Sequence, residues 1–266
     1  METVTSKDGT TIAFDQIGAG PPLVLVAGAS CDRAVDARMA EGLAAHFTVL
    51  NYDRRGRGDS TDTPPYAVDR EIEDLEILLA AAGGSAVVVG LSSGAVLAGH
   101  AAAAGLPVGH LVMWEPPFRL GAAAQRASLE YGERTRALLA EGRRGEALEL
   151  FMTVVGLPAE AIAGIRQSPY WAQGEGLAHT LAYDAEVMGD GSVPRERFAA
   201  ITATTAVFTG GASPDWFRAV GKAAVDAIPG ATYGELPGQT HDVAPDALAT
   251  AVHDFVRAHA PYARQP

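Results

Sequence analysis

The stretch Gly90-Leu91-Ser92-Ser93-Gly94 constrains this chain more than any other. Before it runs Ser85-Ala86-Val87-Val88-Val89, a short apolar run suited to a strand covered on both faces. After it runs Ala95-Val96-Leu97-Ala98-Gly99-His100-Ala101, mostly small residues suited to a helix. A strand that turns directly into a helix through Gly-x-Ser-x-Gly has the form of a nucleophile elbow. The serine then occupies a strained turn, and its hydroxyl projects above the sheet. Glycine is needed on both flanks because a Cβ there would run into the neighbouring strand and helix. The helix that starts at the turn directs free N–H groups and the positive end of its dipole at the hydroxyl.

The rest of the chain supplies the strands and helices such a turn requires. Residues 10–17 alternate as a half-exposed strand does, and Pro22–Val26 is a short apolar run ending in Ala27-Gly28-Ala29-Ser30. A helix is expected over residues 33–46 and a strand over 47–53, followed by the turn-rich loop Arg54-Arg55-Gly56-Arg57-Gly58-Asp59-Ser60. Residues 68–82 place Ile72, Leu75 and Leu79 on one helical face. A strand over 107–115 is stopped by Pro116-Pro117. Residues 119–202 show no strand pattern, and Leu148, Phe151, Met152 and Val155 share helical spacing there. Strand character returns at 205–209 and 231–236, each followed by a helix, the last opened by Pro245. Strands alternating with helices predict an α/β fold with a mostly parallel sheet covered on both sides. The expected division is a core of residues 1–118 and 203–266, with 119–202 as a helical insertion.

With 266 residues, 48% of them hydrophobic, the chain can bury one full α/β core. Its net charge of -12 argues against nucleic acid or an anionic membrane surface as partner. Cys31 is the only cysteine, so no intrachain disulfide can form. The first residues lack the basic and apolar regions of a signal peptide, and no apolar run approaches the length of a membrane span. The expectation is a cytoplasmic protein. Its oligomeric state is left open, a homodimer included.

Four motifs together resemble the α/β-hydrolase fold superfamily, in its lid-bearing group of esterases, cofactor-free haloperoxidases and dehalogenases. They are Ala27-Gly28-Ala29, the loop Asp53-Arg54-Arg55-Gly56-Arg57-Gly58-Asp59-Ser60, the elbow at Ser92, and Gly238-Gln239-Thr240-His241-Asp242 before the last helix. The resemblance covers nearly the whole chain. It implies an eight-stranded, mostly parallel sheet with residues 119–202 inserted as a helical lid before the last two strands.

The resemblance also implies roles. A serine hydroxyl is a poor nucleophile until a base takes its proton, and histidine does this best near neutrality. Ser92 is the expected nucleophile. His241 follows the last strand, where the family keeps its base; the other six histidines occupy no matching place. The backbone N–H groups of Ala29 and Ser93 are the expected oxyanion hole. Asp53 and Arg55 are expected to tie their loop together rather than react, and Cys31 to pack as a small hydrophobe.

The third member departs from the pattern. The family's usual acid stands just after the strand that follows the lid, and aligned on Gly210 that position is Ser213. Two carboxylates can replace it. Asp215 lies two residues on, where the start of a helix favours Asp in any case. Glu115 ends the strand before the lid, a place some lid-bearing relatives use, and a carboxylate there is costly to bury unless paired. Glu115 is the expected acid, with Asp215 as the alternative.

Tyr131, Phe151, Tyr170, Trp171, Tyr183 and Met188 are available either to line a pocket or to fill the insertion's own core. No residues are spaced as metal ligands and no dinucleotide fingerprint opens a helix, so neither metal nor cofactor is expected. The expected activity is hydrolysis of a carboxylic ester, lactone or thioester of a small hydrophobic molecule. Two alternatives use the same pocket: a lyase, cyclase or isomerase reaction on a small natural product, and a receptor-like binding protein.

Overall fold

The computed structural model describes residues 1–259. Eight strands form one sheet in the order β1-β2-β4-β3-β5-β6-β7-β8. β1 (Glu2–Thr5), β2 (Thr11–Ile17) and β4 (Thr48–Tyr52) pair antiparallel, as β1 on β2 and β2 on β4. β3 (Pro22–Val26), β5 (Ala86–Leu91), β6 (Val108–Trp114), β7 (Thr204–Gly210) and β8 (Thr232–Leu236) run parallel to one another and to β4.

The side-chain period of two divides the parallel strands between two cores. Val24, Val26, Val88, Leu111 and Met113 point to one face, packed under α2 (Val68–Ala81), α3 (Ser93–Ala103) and α10 (Asp215–Val225). Leu23, Leu25, Val87, Val89, Val112 and Trp114 point to the other, under α1 (Ala37–Ala44) and α11 (Pro245–Ala258). Central strands are therefore apolar at nearly every position, as their sequences read. Each fully buried Val or Leu contributes about 1.5–3 kcal/mol.

Between β6 and β7 the chain forms only helices: α4 (Ala122–Ala140), α5 (Arg144–Val154), α6 (Ala159–Arg166), α7 (Tyr170–Leu177), a short 3-10 turn (Ala178–Thr180), α8 (Leu181–Met188) and α9 (Arg195–Phe198). Leu148, Ala178 and Leu181 make a small core of their own, with Phe151 and Trp171 against it.

The strand register decides what meets at the sheet edge. Val26 pairs with Gly90, Leu91 with Trp114, and Trp114 with Phe208. Continued one step past the strands, that register brings Gly28, Ser92 and Glu115 to one level at the ends of three adjacent strands, on the carboxyl side where open α/β sheets bind ligands.

Candidate active site

Ser92 stands between β5 and α3 with φ 54° and ψ −121°. Among the described residues, the non-glycine positions with positive φ are Ser30, Ser92 and Glu115, and all three lie at this edge. Such conformations cost roughly 1–3 kcal/mol each and persist only where the surroundings hold them. At Ser92 the holding groups are visible. Its N–H donates to the Trp114 carbonyl at 2.9 Å, and its carbonyl accepts from the Ala95 N–H at 3.0 Å. A Cβ on Gly90 would fall 2.5 Å from Ala95 Cα, and one on Gly94 would fall 2.3 Å from the Val26 carbonyl oxygen. Both glycines are thus demanded by close approach, one to the helix and one to the neighbouring strand.

Glu115 is fully buried at the end of β6. Its Oε1 accepts the Gly210 N–H at 2.8 Å, and its Oε2 lies 2.7 Å from His241 Nδ1. A carboxylate can only accept, so Nδ1 carries the hydrogen and Nε2 is the ring's free acceptor. The imidazole, about half exposed, stacks on Phe217 with centroids 5.1 Å apart. Trp114 joins the parts: its carbonyl takes the Ser92 N–H, its indole N–H donates to the His241 carbonyl at 3.0 Å, and Glu115 follows it in the chain.

Neither the alternative acid, Asp215, nor the serine at the usual acid position bonds to His241 among the described residues. Asp215 is in the first turn of α10 with its side chain 91% exposed, paired to Arg218. Ser213 is buried, and its Oγ has no hydrogen-bond partner among the described residues.

The Ala29 and Ser93 N–H groups have no acceptor among the described residues. Gly28 carries the first loop across the elbow, where an added Cβ would sit 3.4 Å from Ser92 Cβ. Cys31 donates to the Ala29 carbonyl at 3.4 Å, and burial, aided by the Asp36 charge, pushes its thiol up to about 12. It therefore stays protonated near neutrality. Asp53 accepts the N–H groups of Arg33 at 2.7 Å and Asp59 at 2.8 Å, while Arg55 grips Asp74 through two 2.8 Å bonds. Both act on the loop's shape.

Of the insertion's aromatics, Phe151 and Trp171 pack in its own core and Tyr170 is exposed. Met188 packs on the main core. Tyr183 stacks on Tyr66 at 4.0 Å and donates to Asp62 at 2.7 Å. Sequence reasoning passed over Trp114, Phe217 and Asp184. The first two carried a faint signal, aromatics beside a strand end and a helix start. Asp184 carried none, since Ser93, Arg54 and Arg57, which it contacts, are distant in sequence. Among the described residues no three His, Cys, Asp or Glu side chains gather as metal ligands, and no helix is long and apolar enough to cross a membrane.

A model of the alpha/beta hydrolase family matches residues 23–257. The crystal structure of an alpha/beta hydrolase from Sphaerobacter thermophilus DSM 20745 is 53% identical, covers 96% of this chain and 99% of that one, and superposes with a TM-score of 0.87. A hydrolase from Pseudomonas aeruginosa PA01 is 26% identical over 96% of this chain and 97% of its own, with a TM-score of 0.75. Pimeloyl-[acyl-carrier protein] methyl ester esterases of Xanthomonas campestris are 41% identical over 91 residues, 34% of either chain, so the match spans about a third of these curated relatives.

Proposed function

The chain belongs to the alpha/beta hydrolase family, and from that premise we propose that it is a cofactor-free serine hydrolase cleaving a carboxylic ester, lactone or thioester of a small hydrophobic molecule. Ser92 Oγ attacks the substrate carbonyl while its proton passes to His241 Nε2. The oxyanion forms against the Ala29 and Ser93 N–H groups. As the tetrahedral intermediate collapses, the carbonyl–heteroatom bond breaks and His241 returns the proton to the leaving group. Water, deprotonated by His241, then releases the acyl group from Ser92 by the reverse sequence. Glu115 holds the Nδ1–H tautomer and balances the imidazolium. An oxyanion-hole donor is worth about 2.7–4 kcal/mol of barrier, which makes the two N–H groups a large part of the rate.

The 2.7 Å contact between His241 Nδ1 and Glu115 carries this reading. A triad without an acid would favour the non-hydrolytic alternative, but Glu115 offers from the neighbouring strand the charge that Ser213 lacks. The ester as substrate class is further supported by the methyl ester esterases similar to a third of the chain. Residues 119–202 serve as a lid: Gln173 reaches Asp32, Tyr183 reaches Asp62, and Asp184 reaches Ser93, all on the substrate side of the sheet.

A fluorophosphonate probe and p-nitrophenyl butyrate test the proposal. Wild-type protein should gain the probe's mass on Ser92 and hydrolyse the ester, and Ser92→Ala should lose both while melting as the wild type does. The loss in turnover should be at least about a thousandfold. Absence of both label and hydrolysis in the wild type, with a small molecule still bound, would replace the enzyme by the receptor-like reading.

A further inference from the structure

A cluster of buried charge lies beside the elbow, and the triad does not use it. Arg54, Arg57, Glu71 and Asp184 are all buried, two cations with two anions. Arg54 holds Glu71 through two 2.7 Å bonds, and Tyr66 adds a third at 2.7 Å. Asp184, on α8 of the insertion, is bonded through both of its oxygens. Its Oδ1 accepts Arg54 Nη1 at 2.7 Å and Ser93 Oγ at 2.9 Å, and its Oδ2 accepts Arg57 Nη2 at 2.8 Å. Burial alone would push this carboxyl up, but the Arg57 and Arg54 charges outweigh burial and hold it below the usual carboxylate range.

The same arginines reach the loop after β3. Arg54 Nη1 donates to the Ala27 carbonyl at 3.3 Å, and Arg57 Nη1 donates to the carbonyls of Gly28 at 2.6 Å and Cys31 at 3.1 Å. These carbonyls bracket Ala29. One carboxylate thus bonds directly to the side chain of the residue carrying one oxyanion donor. Through two guanidinium groups it also grips both flanks of the other. Guanidinium forks hold fixed angles, so this linkage transmits position and not merely charge.

We propose that Asp184 is a positioning residue for the oxyanion hole, and that the helical insertion supplies it as a fixed strut between the Ala29 and Ser93 N–H groups. The inference rests on the serine hydrolase reading. It divides the insertion functionally: α8 belongs to the catalytic frame, and any opening for substrate falls to the helices outside it. His100 on α3 adds to the anchor, donating from Nε2 to the Val187 carbonyl of α8 at 3.1 Å.

The test compares Asp184→Asn and Ser93→Ala with wild type, using p-nitrophenyl butyrate, an alkyl trifluoromethyl ketone that forms a tetrahedral oxyanion on the serine, and thermal melting. A displacement of about 1 Å near reacting atoms can cost about a hundredfold, so Asp184→Asn should lower kcat about 10- to 100-fold with KM within about threefold. Affinity for the ketone should fall by the same factor as kcat. Ser93→Ala keeps its backbone donor and loses only the link to Asp184; the same split should appear at about three- to tenfold, with an unchanged melting temperature. A merely structural Asp184 would lower the melting temperature and leave kcat per folded molecule and ketone affinity untouched, which would overturn the proposal. If Asp184→Asn does not fold, Ser93→Ala decides alone, and wild-type kcat and ketone affinity in it would likewise overturn the proposal. Failure of the wild type to cleave the ester or take a fluorophosphonate would instead defeat the hydrolase reading, and this inference with it.

Discussion

Two buried carboxylates flank the elbow, and their partners differ in kind. Glu115 meets a backbone N–H and a half-exposed imidazole, a group that can change its charge during a reaction. Asp184 meets two guanidinium groups and a hydroxyl, whose charges do not change near neutrality. Burying a carboxylate costs several kcal/mol in either place and is tolerated only when paired. The difference lies in when the pairing is complete. Around Asp184 it is complete in the resting protein, which suits a structural strut. Around Glu115 it becomes complete only when the imidazole takes a proton, so on the proposed mechanism the burial strengthens an interaction made in the transition state.

The comparison breaks most sharply at Glu115. Glu115→Gln keeps shape and burial but removes the charge and lets the ring adopt the wrong tautomer. Turnover of p-nitrophenyl butyrate should fall about 10³- to 10⁴-fold, with stability within about 1 kcal/mol of wild type. Steady-state kinetics beside a urea titration would separate the two quantities. Equal loss of both would place Glu115 in the same class as Asp184.

At Asp184 the weight should move from turnover to stability. Asp184→Ala leaves two buried guanidinium groups short of an anion, and unfolding free energy should drop by about 3–5 kcal/mol. A urea midpoint unchanged from wild type would show the cluster to be energetically idle.

Acid sharpens the contrast. The Asp184 carboxyl is held below its ordinary value, so it binds a proton less readily folded than unfolded. Its stabilisation is therefore fully present above the ordinary carboxylate range and is lost as the pH falls below about 4. The stability gap between wild type and Asp184→Asn should be constant from pH 5 to 7, to order of magnitude, and narrow on further acidification. A gap that widens in acid would reverse the assignment.

The smallest effect belongs to Asp215, a carboxylate that is neither buried nor joined to the histidine. Asp215→Asn should alter stability by less than about 0.5 kcal/mol and turnover by less than about twofold. A large fall in kcat would move the acid from the end of β6 to the end of β7.

Much of the scaffold was legible along the chain. The central strands announced themselves because both their faces are covered, which makes them apolar throughout. β1 did not, because it is an edge strand with mostly exposed side chains and so shows no apolar alternation. The helix expected over 33–46 begins only at Ala37. Its first residues are instead used as a loop, where Arg33 spans Asp15, Asp53 and Asp59. Helical propensity lost there to long-range ion pairs.

Ser92 and the glycines around it could be read from the motif and its strand-to-helix context, although only part of the elbow's sterics is local: Gly90 is demanded by Ala95, five residues on, but Gly94 by the Val26 carbonyl of the neighbouring strand. Ser93 follows Ser92 in the elbow, whereas Ala29 comes from the loop after another strand, and its expected role rests on the family resemblance. For the acid the chain offers Glu115 as the expected residue and Asp215 as the alternative, and which of them meets His241 depends on which strand end faces the His241 loop. That is a matter of sheet order and register. Only the folded chain sets Glu115 beside His241, 126 residues away, and Asp184 beside Arg54, 130 residues away. A motif records what neighbouring residues must do to one another. Burial and pairing between distant segments leave no such record, because any carboxylate can meet any cation until tertiary packing decides which of them share a space closed to water.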